Sequence, residues 1–168
     1  MPNLCNNTVY LSNTDEQAVD ALIAVLQTGE DAEIFQHLRP MPDEDTLPKA
    51  SSDDPMPGWY RWRLTNWGTK WDASSVQYNI TSNNSLRLYF DTAWGPPTDL
   101  YEYMTSNGWD IDAYYVEWGM DYCGRWHDGE ELYVNSMSDD PIPEEIDEEL
   151  ELSEQIAMMR EEYREEIA

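Results

Sequence analysis

With 168 residues the chain suits one domain and an appendage and is too short for two full domains, which usually take about 100–150 residues each. Its 35 acidic and nine basic side chains give a formal charge of −26. That charge disfavours direct binding to nucleic acid or to anionic membranes and leaves a basic protein surface or a divalent cation as attractive partners. Two cysteines are too few for a disulfide framework, no run of about 18 apolar residues could span a membrane, and Met1-Pro2-Asn3-Leu4 does not open a basic-then-apolar leader, so a cytoplasmic location is expected.

Residues 6–12 alternate toward Val9 and Leu11 and read as a strand. Thr14-Asp15-Glu16-Gln17 has capping-box spacing, so a helix is expected to start there. Val19, Leu22, Ile23 and Leu26 then fall at i, i+3, i+4 and i+7, and Gly29 is placed to end the helix. Ile34, Phe35 and Leu38 suggest one more short element. Residues 40–58 hold Pro40, Pro42, Pro48, Pro55 and Pro57 with five acids and one Lys, the composition of a long loop, either a solvated linker or a functional segment.

Residues 59–72 concentrate four Trp and three of the nine basic residues. Gly68 fits a helix end, and Trp67, Trp71 and Trp94 are expected to fill the core beneath a sheet. The competing reading exposes these aromatics to a partner, with Lys70 and Asp72 as polar contacts. Val76, Tyr78 and Ile80, a turn at 81–85, and Leu86, Leu88 and Phe90 form an antiparallel hairpin. Pro96 and Pro97 suit the start of a helix with Leu100, Tyr103 and Met104 on one face and Gly108 after its last turn. Residues 109–118 and 130–134 read as strands separated by a turn around Cys123-Gly124. The order is therefore βα, an insertion, ββαβ and an extra strand.

From residue 137 the composition changes. A single Glu-rich helix is expected from about Glu144, with Leu152, Ile156, Met159, Tyr163 and Ile167 at steps of four, three, four and four. This stripe should dock the helix on the domain or pair two copies in a homodimer. Residues 137–168 carry 13 acids and two Arg, net −11, and residues 1–136 carry 22 acids and seven bases, net −15.

Asn66-Trp67-Gly68-Thr69-Lys70-Trp71-Asp72 and Phe90-Asp91-Thr92-Ala93-Trp94-Gly95-Pro96-Pro97 resemble motifs of the YubB-like, Api-type ferredoxin-like domain family of plasmids and bacteriophages. Met1-Pro2-Asn3-Leu4-Cys5-Asn6-Asn7, Tyr114-Tyr115 and Trp118-Gly119 look like weaker family positions. The resemblance covers roughly residues 1–135. It implies an α+β, βαββαβ antiparallel sheet with helices on one face, an origin in a mobile element, and no settled activity. Two cysteines cannot ligate an iron–sulfur cluster, which needs about four. The chain departs from the family pattern in its acidity and in Cys123-Gly124, where an aromatic-Gly pairing is more usual.

Cys5, Cys123, His37 and His127 lack the close spacing of a zinc site. Asp110-x-Asp112 and Asp53-Asp54 could hold a hard cation or serve as acid and base, but pairs arise by chance among 35 acids. No phosphate loop, nucleophile elbow or zinc-protease helix is present. The expectation is thus a non-enzyme without metal or cofactor. It would be an anti-defence inhibitor mimicking DNA and binding a basic nucleic-acid-binding host protein, such as a restriction or CRISPR effector. The contacts would come from Glu144, Glu145, Glu148, Glu149, Glu151, Glu154, Glu161, Glu162, Glu165 and Glu166. The alternatives are a non-mimetic binding module using the Trp-rich motif or the apolar stripe, and a metal-dependent enzyme.

Overall fold

The computed structural model describes residues 1–168. Six strands form one fully antiparallel sheet: β1 (Leu4–Asn13), β2 (Ser74–Ser82), β3 (Ser85–Ala93), β4 (Trp109–Glu117), β5 (Tyr122–His127) and β6 (Glu130–Val134), in the order β2-β3-β1-β4-β5-β6. The first four strands in that order, with helices after β1 and β3, make the ferredoxin-like α+β arrangement. Strands β5 and β6 extend it as a meander.

Alternation along the strands fixes what each face touches. Val9, Leu11, Leu86, Leu88, Phe90, Ile111 and Ala113 point to one face and share a 21-residue core with Val19, Leu22 and Leu26 of α1 (Glu16–Leu26) and Leu100, Tyr101 and Met104 of α4 (Thr98–Ser106). Helix α1 starts one residue later than capping-box spacing predicts. Asp15, not Thr14, is the N-cap, its carboxylate accepting from the Gln17 amide at 3.0 Å. The short α2 (Ile34–Leu38) adds Ile34 and Phe35 to the same core.

Residues 40–58 form the expected loop, interrupted by one 3₁₀ turn at Glu44–Thr46. The Trp-rich stretch begins as helix α3 (Gly58–Asn66), which the sequence pattern does not announce because its aromatic and basic side chains alternate without an apolar face. Gly68 ends it at φ +86°, a left-handed conformation natural for glycine after a helix.

Cys123-Gly124 is not a turn but the middle of β5, and the reversal to β6 falls at Asp128-Gly129. Gly124 answers a close approach. A Cβ there would lie 2.2 Å from the Tyr115 hydroxyl oxygen.

The largest correction concerns the C-terminal segment. Instead of one helix there are two, α5 (Glu144–Leu150) and α6 (Leu152–Ile167), divided at Glu151, which adopts a left-handed φ of 54°. Such a conformation costs a non-glycine residue about 1–2 kcal/mol. It redirects the chain so that the Ser153 amide donates to Asp147 at 2.7 Å. The helices of the ferredoxin-like unit, α1 and α4, lie on one face as expected. Helix α5 covers the opposite face of the sheet, where Ile146, Leu152 and Met137 make a second core with Tyr114, Val116, Cys123 and Val134. The expected boundary after residue 136 therefore falls inside a packed core. No helix is long and apolar enough to cross a membrane.

Candidate protein-interaction surfaces

On the face under α5 the sheet presents two arginines. Arg87 on β3 donates to Glu149 at 2.8 Å, and the Tyr10 hydroxyl donates to the same carboxylate oxygen at 2.5 Å. Arg125 on β5 grips Asp112 with two hydrogen bonds, 2.8 and 3.2 Å, and lies 3.5 Å from Glu145. Burial, and secondly the bond to Glu149, pushes the Tyr10 phenol up to about 12. Of the ten carboxylates expected to face a partner, Glu149 is thus held by the protein's own sheet, and Glu145 lies near Arg125 with half its side chain exposed. Glu144, Glu148, Glu151, Glu154, Glu161, Glu162, Glu165 and Glu166 are solvent-exposed.

The apolar stripe divides at the same place. Leu152 is fully buried and Ile156 packs partly against the second core, whereas Met159, Tyr163 and Ile167 are exposed. The expected docking of the whole stripe stops after Ile156. Beyond it, α6 overhangs a groove of about 530 Å³ that reaches Trp118 and is edged by Arg160 and Arg164.

The Trp-rich motif separates into core and surface. Trp67 is fully buried, its indole N–H donating to the Arg39 carbonyl at 3.0 Å, but Trp71 and Trp94 keep 43% and 47% of their surface open, contrary to the expectation that all three fill the core. One hydrogen bond brings the motifs together, Thr69 donating to the Ala93 carbonyl at 3.1 Å, while within the second motif Thr92 donates to the Gly95 carbonyl at 2.6 Å. The Lys70 ammonium consequently sits 4.3 Å from the Trp71 ring centre and 4.2 Å from that of Trp94. The Trp94 carbonyl accepts from the Tyr122 hydroxyl, and the Tyr122 ring lies 5.6 Å from that of the half-exposed Tyr133. Asp72, an expected partner contact, instead accepts from the Phe35 and Gln36 amides at 3.0 Å each and anchors the start of α2. Its burial raises its carboxyl above the ordinary range despite those amides.

Strand alternation would have turned Trp94 inward with Leu88, Phe90 and Thr92. A left-handed φ of 67° at Trp94 itself turns the chain, and a non-glycine residue gives no sequence signal for that.

Six of the nine cations share a pattern. Arg39 lies over Tyr103, Arg63 over Trp59 and Trp67, Arg87 over Tyr10 and Tyr89, Arg125 over Tyr114, and Lys70 between its two indoles. Arg61 pairs with Asp54. Only Lys49, Arg160 and Arg164 have neither a ring nor a carboxylate partner.

The residues considered for metal or acid–base chemistry do not converge. Cys5 and Cys123 are free and buried, and burial raises both thiols, that of Cys123 to about 11, so they stay un-ionised near neutrality. His127 bonds the Ile111 carbonyl through Nδ1 at 2.9 Å, while His37 lies on α2. Asp112 and Asp54 are paired with arginines, and no three His, Cys, Asp or Glu side chains cluster as metal ligands.

No family model matches the chain, and no curated protein matches it. Among solved structures it is similar to the crystal structure of a protein api92 from Yersinia pseudotuberculosis, described under the family model DUF1281. The identity is 19% and the TM-score 0.38, with 52% of this chain and 32% of that one covered, so the match spans about a third of the Yersinia protein. A likeness this distant carries no functional inference.

Proposed function

We propose that this protein is a non-enzymatic, mobile-element-encoded inhibitor that occupies the basic nucleic-acid-binding surface of a bacterial defence or DNA-handling protein in place of nucleic acid. One observation carries the reading: in a molecule of net charge −26, Glu144, Glu148, Glu151, Glu154, Glu161, Glu162, Glu165 and Glu166 all stand exposed to solvent. Such a surface steers a basic partner into encounter over distances beyond contact.

Helix α6 contributes, but not alone. Its 16 residues extend about 24 Å at ~1.5 Å per residue. Across that length it carries Glu154, Glu161, Glu162, Glu165 and Glu166 together with Arg160 and Arg164. Duplex DNA presents one charge per ~1.7 Å, so imitation of its field draws on the whole acidic body. The test is recovery of a basic nucleic-acid-binding protein from host lysate at low salt, followed by displacement with duplex DNA. A partner that binds DNA and this protein at once would rule out mimicry.

A second reading, a binding module whose specificity lies in aromatic contacts, is favoured by the exposure of Trp71 and Trp94. Under it, neutralising Glu154, Glu161, Glu165 and Glu166 leaves partner binding nearly unchanged.

A further inference from the structure

We infer that the row of exposed Trp71, Trp94 and Tyr133 with half-buried Lys70 and Tyr122 between them is a docking surface for the Arg and Lys side chains of a basic protein partner. The inference rests on the proposed inhibitor reading and assigns it a contact surface away from the acidic tail.

The row lies where the helical layer ends. Tyr101 of helix α4 packs 5.4 Å from Trp126 on β5, while Glu130, Glu131, Leu132 and Tyr133 of β6 are left exposed. Continuity is set by contacts already described: Lys70 joins the two indoles, the Trp94 carbonyl meets the Tyr122 hydroxyl, and Tyr122 meets Tyr133. At the far end the Tyr115 hydroxyl donates to Glu131, which sets a carboxylate beside the tyrosines.

The protein itself shows what such faces hold. Five of its own cations lie 4.2–5.3 Å from aromatic ring centres, and in this row Lys70 is already one of them. Tyr133, half exposed beside Tyr122, has no cation over it. With Lys70 already at both indoles, a partner guanidinium or ammonium can reach the surface of Trp71 and Trp94 that stays open and the vacant ring of Tyr133, drawn by the net charge of −26 and by Glu131. A purely apolar helix would have to desolvate the Lys70 ammonium on docking, and a nucleic acid stacking on the rings would meet the full acidic field.

The test is titration of the full chain with an oligo-arginine peptide at about 150 mM salt, where distant charges are largely screened, beside a single-stranded oligothymidine. Trp71→Leu/Trp94→Leu keeps apolar bulk and removes the π faces, and Trp71→Phe/Trp94→Phe restores them. Tyr133→Leu alters the exposed end of the row, and unchanged thermal unfolding shows that each variant folds. The Leu double variant should weaken peptide binding about tenfold, Tyr133→Leu a few-fold, and the Phe double variant less than either. The slope of affinity against salt should not change, because no charge is removed. Equal binding by native protein and Leu variants, equal loss by the Phe and Leu variants, or tighter binding of oligothymidine would each overturn the docking surface. The inhibitor reading is judged separately, by displacement of its partner with DNA.

Discussion

Helices α5 and α6 adjoin in sequence and are alike in their surplus of carboxylates, yet they stand in different physical situations. In α5, Ile146 is buried and Glu145 and Glu149 meet Arg125 and Arg87, which the sheet presents on alternate-facing positions of β5 and β3. After the left-handed Glu151, α6 keeps only Leu152 and part of Ile156 in the core, lines an open groove with the exposed Met159, Tyr163 and Ile167, and turns its glutamates to solvent. What distinguishes a structural carboxylate from a free one is the cation opposite it, not the composition of its helix.

The strongest way to break this comparison is to shorten the chain at two points. Ending it after Pro143 uncovers Tyr114, Val116, Cys123 and Val134, removes Glu149 from Arg87 and leaves Arg125 with Asp112 alone, so cooperative urea unfolding should be lost or weakened by several kcal/mol. Ending it after Ile156 should change stability by less than about 1 kcal/mol. At single residues, Ile146→Ala should cost about 2–4 kcal/mol, and Met159→Ala no more than about 0.5 kcal/mol, in the same unfolding experiment.

A smaller contrast separates Glu149 from Glu161. Glu149→Gln should cost about 1 kcal/mol, the value of a charge-assisted bond discounted for partial exposure, and Glu161→Gln should be close to neutral. Glu149 also leaves a mark in alkali. The Tyr10 phenol, ordinarily at 10.0, is raised to about 12 by burial and then by Glu149, so the stabilisation tied to its neutral form is complete below pH 10 and is lost as pH rises through about 12. Ultraviolet titration of Glu149→Gln should show one tyrosine ionising at lower pH than in the native protein.

Much of this architecture is legible in the sequence where periodicity and caps agree. Val19, Leu22 and Leu26 declare α1, and the alternation through Leu86, Leu88 and Phe90 declares the hairpin. What escapes lies where one residue overrides its local pattern. Glu151 divides a helix that its composition would continue, and Trp94 leaves a strand through a backbone conformation that only glycine or asparagine would advertise. Gly124 imitates a turn because a tyrosine from the neighbouring strand needs its missing side chain. The same limit applies to the candidate surfaces. The surplus of carboxylates can be counted, but the pairing of Glu149 depends on Arg87, 62 residues away in sequence, and that of Glu145 on Arg125 of another strand. The joining of Lys70 and Trp94 likewise depends on the tertiary bond from Thr69 to the Ala93 carbonyl.

The most direct measurement of the proposed function is competition between this protein and duplex DNA for the basic partner recovered at low salt, with native protein beside the Glu154→Gln/Glu161→Gln/Glu165→Gln/Glu166→Gln variant. Mutually exclusive binding is predicted, weakening steeply with salt and less steeply for the variant, which carries four fewer charges. A ternary complex in which the partner keeps its DNA would contradict it.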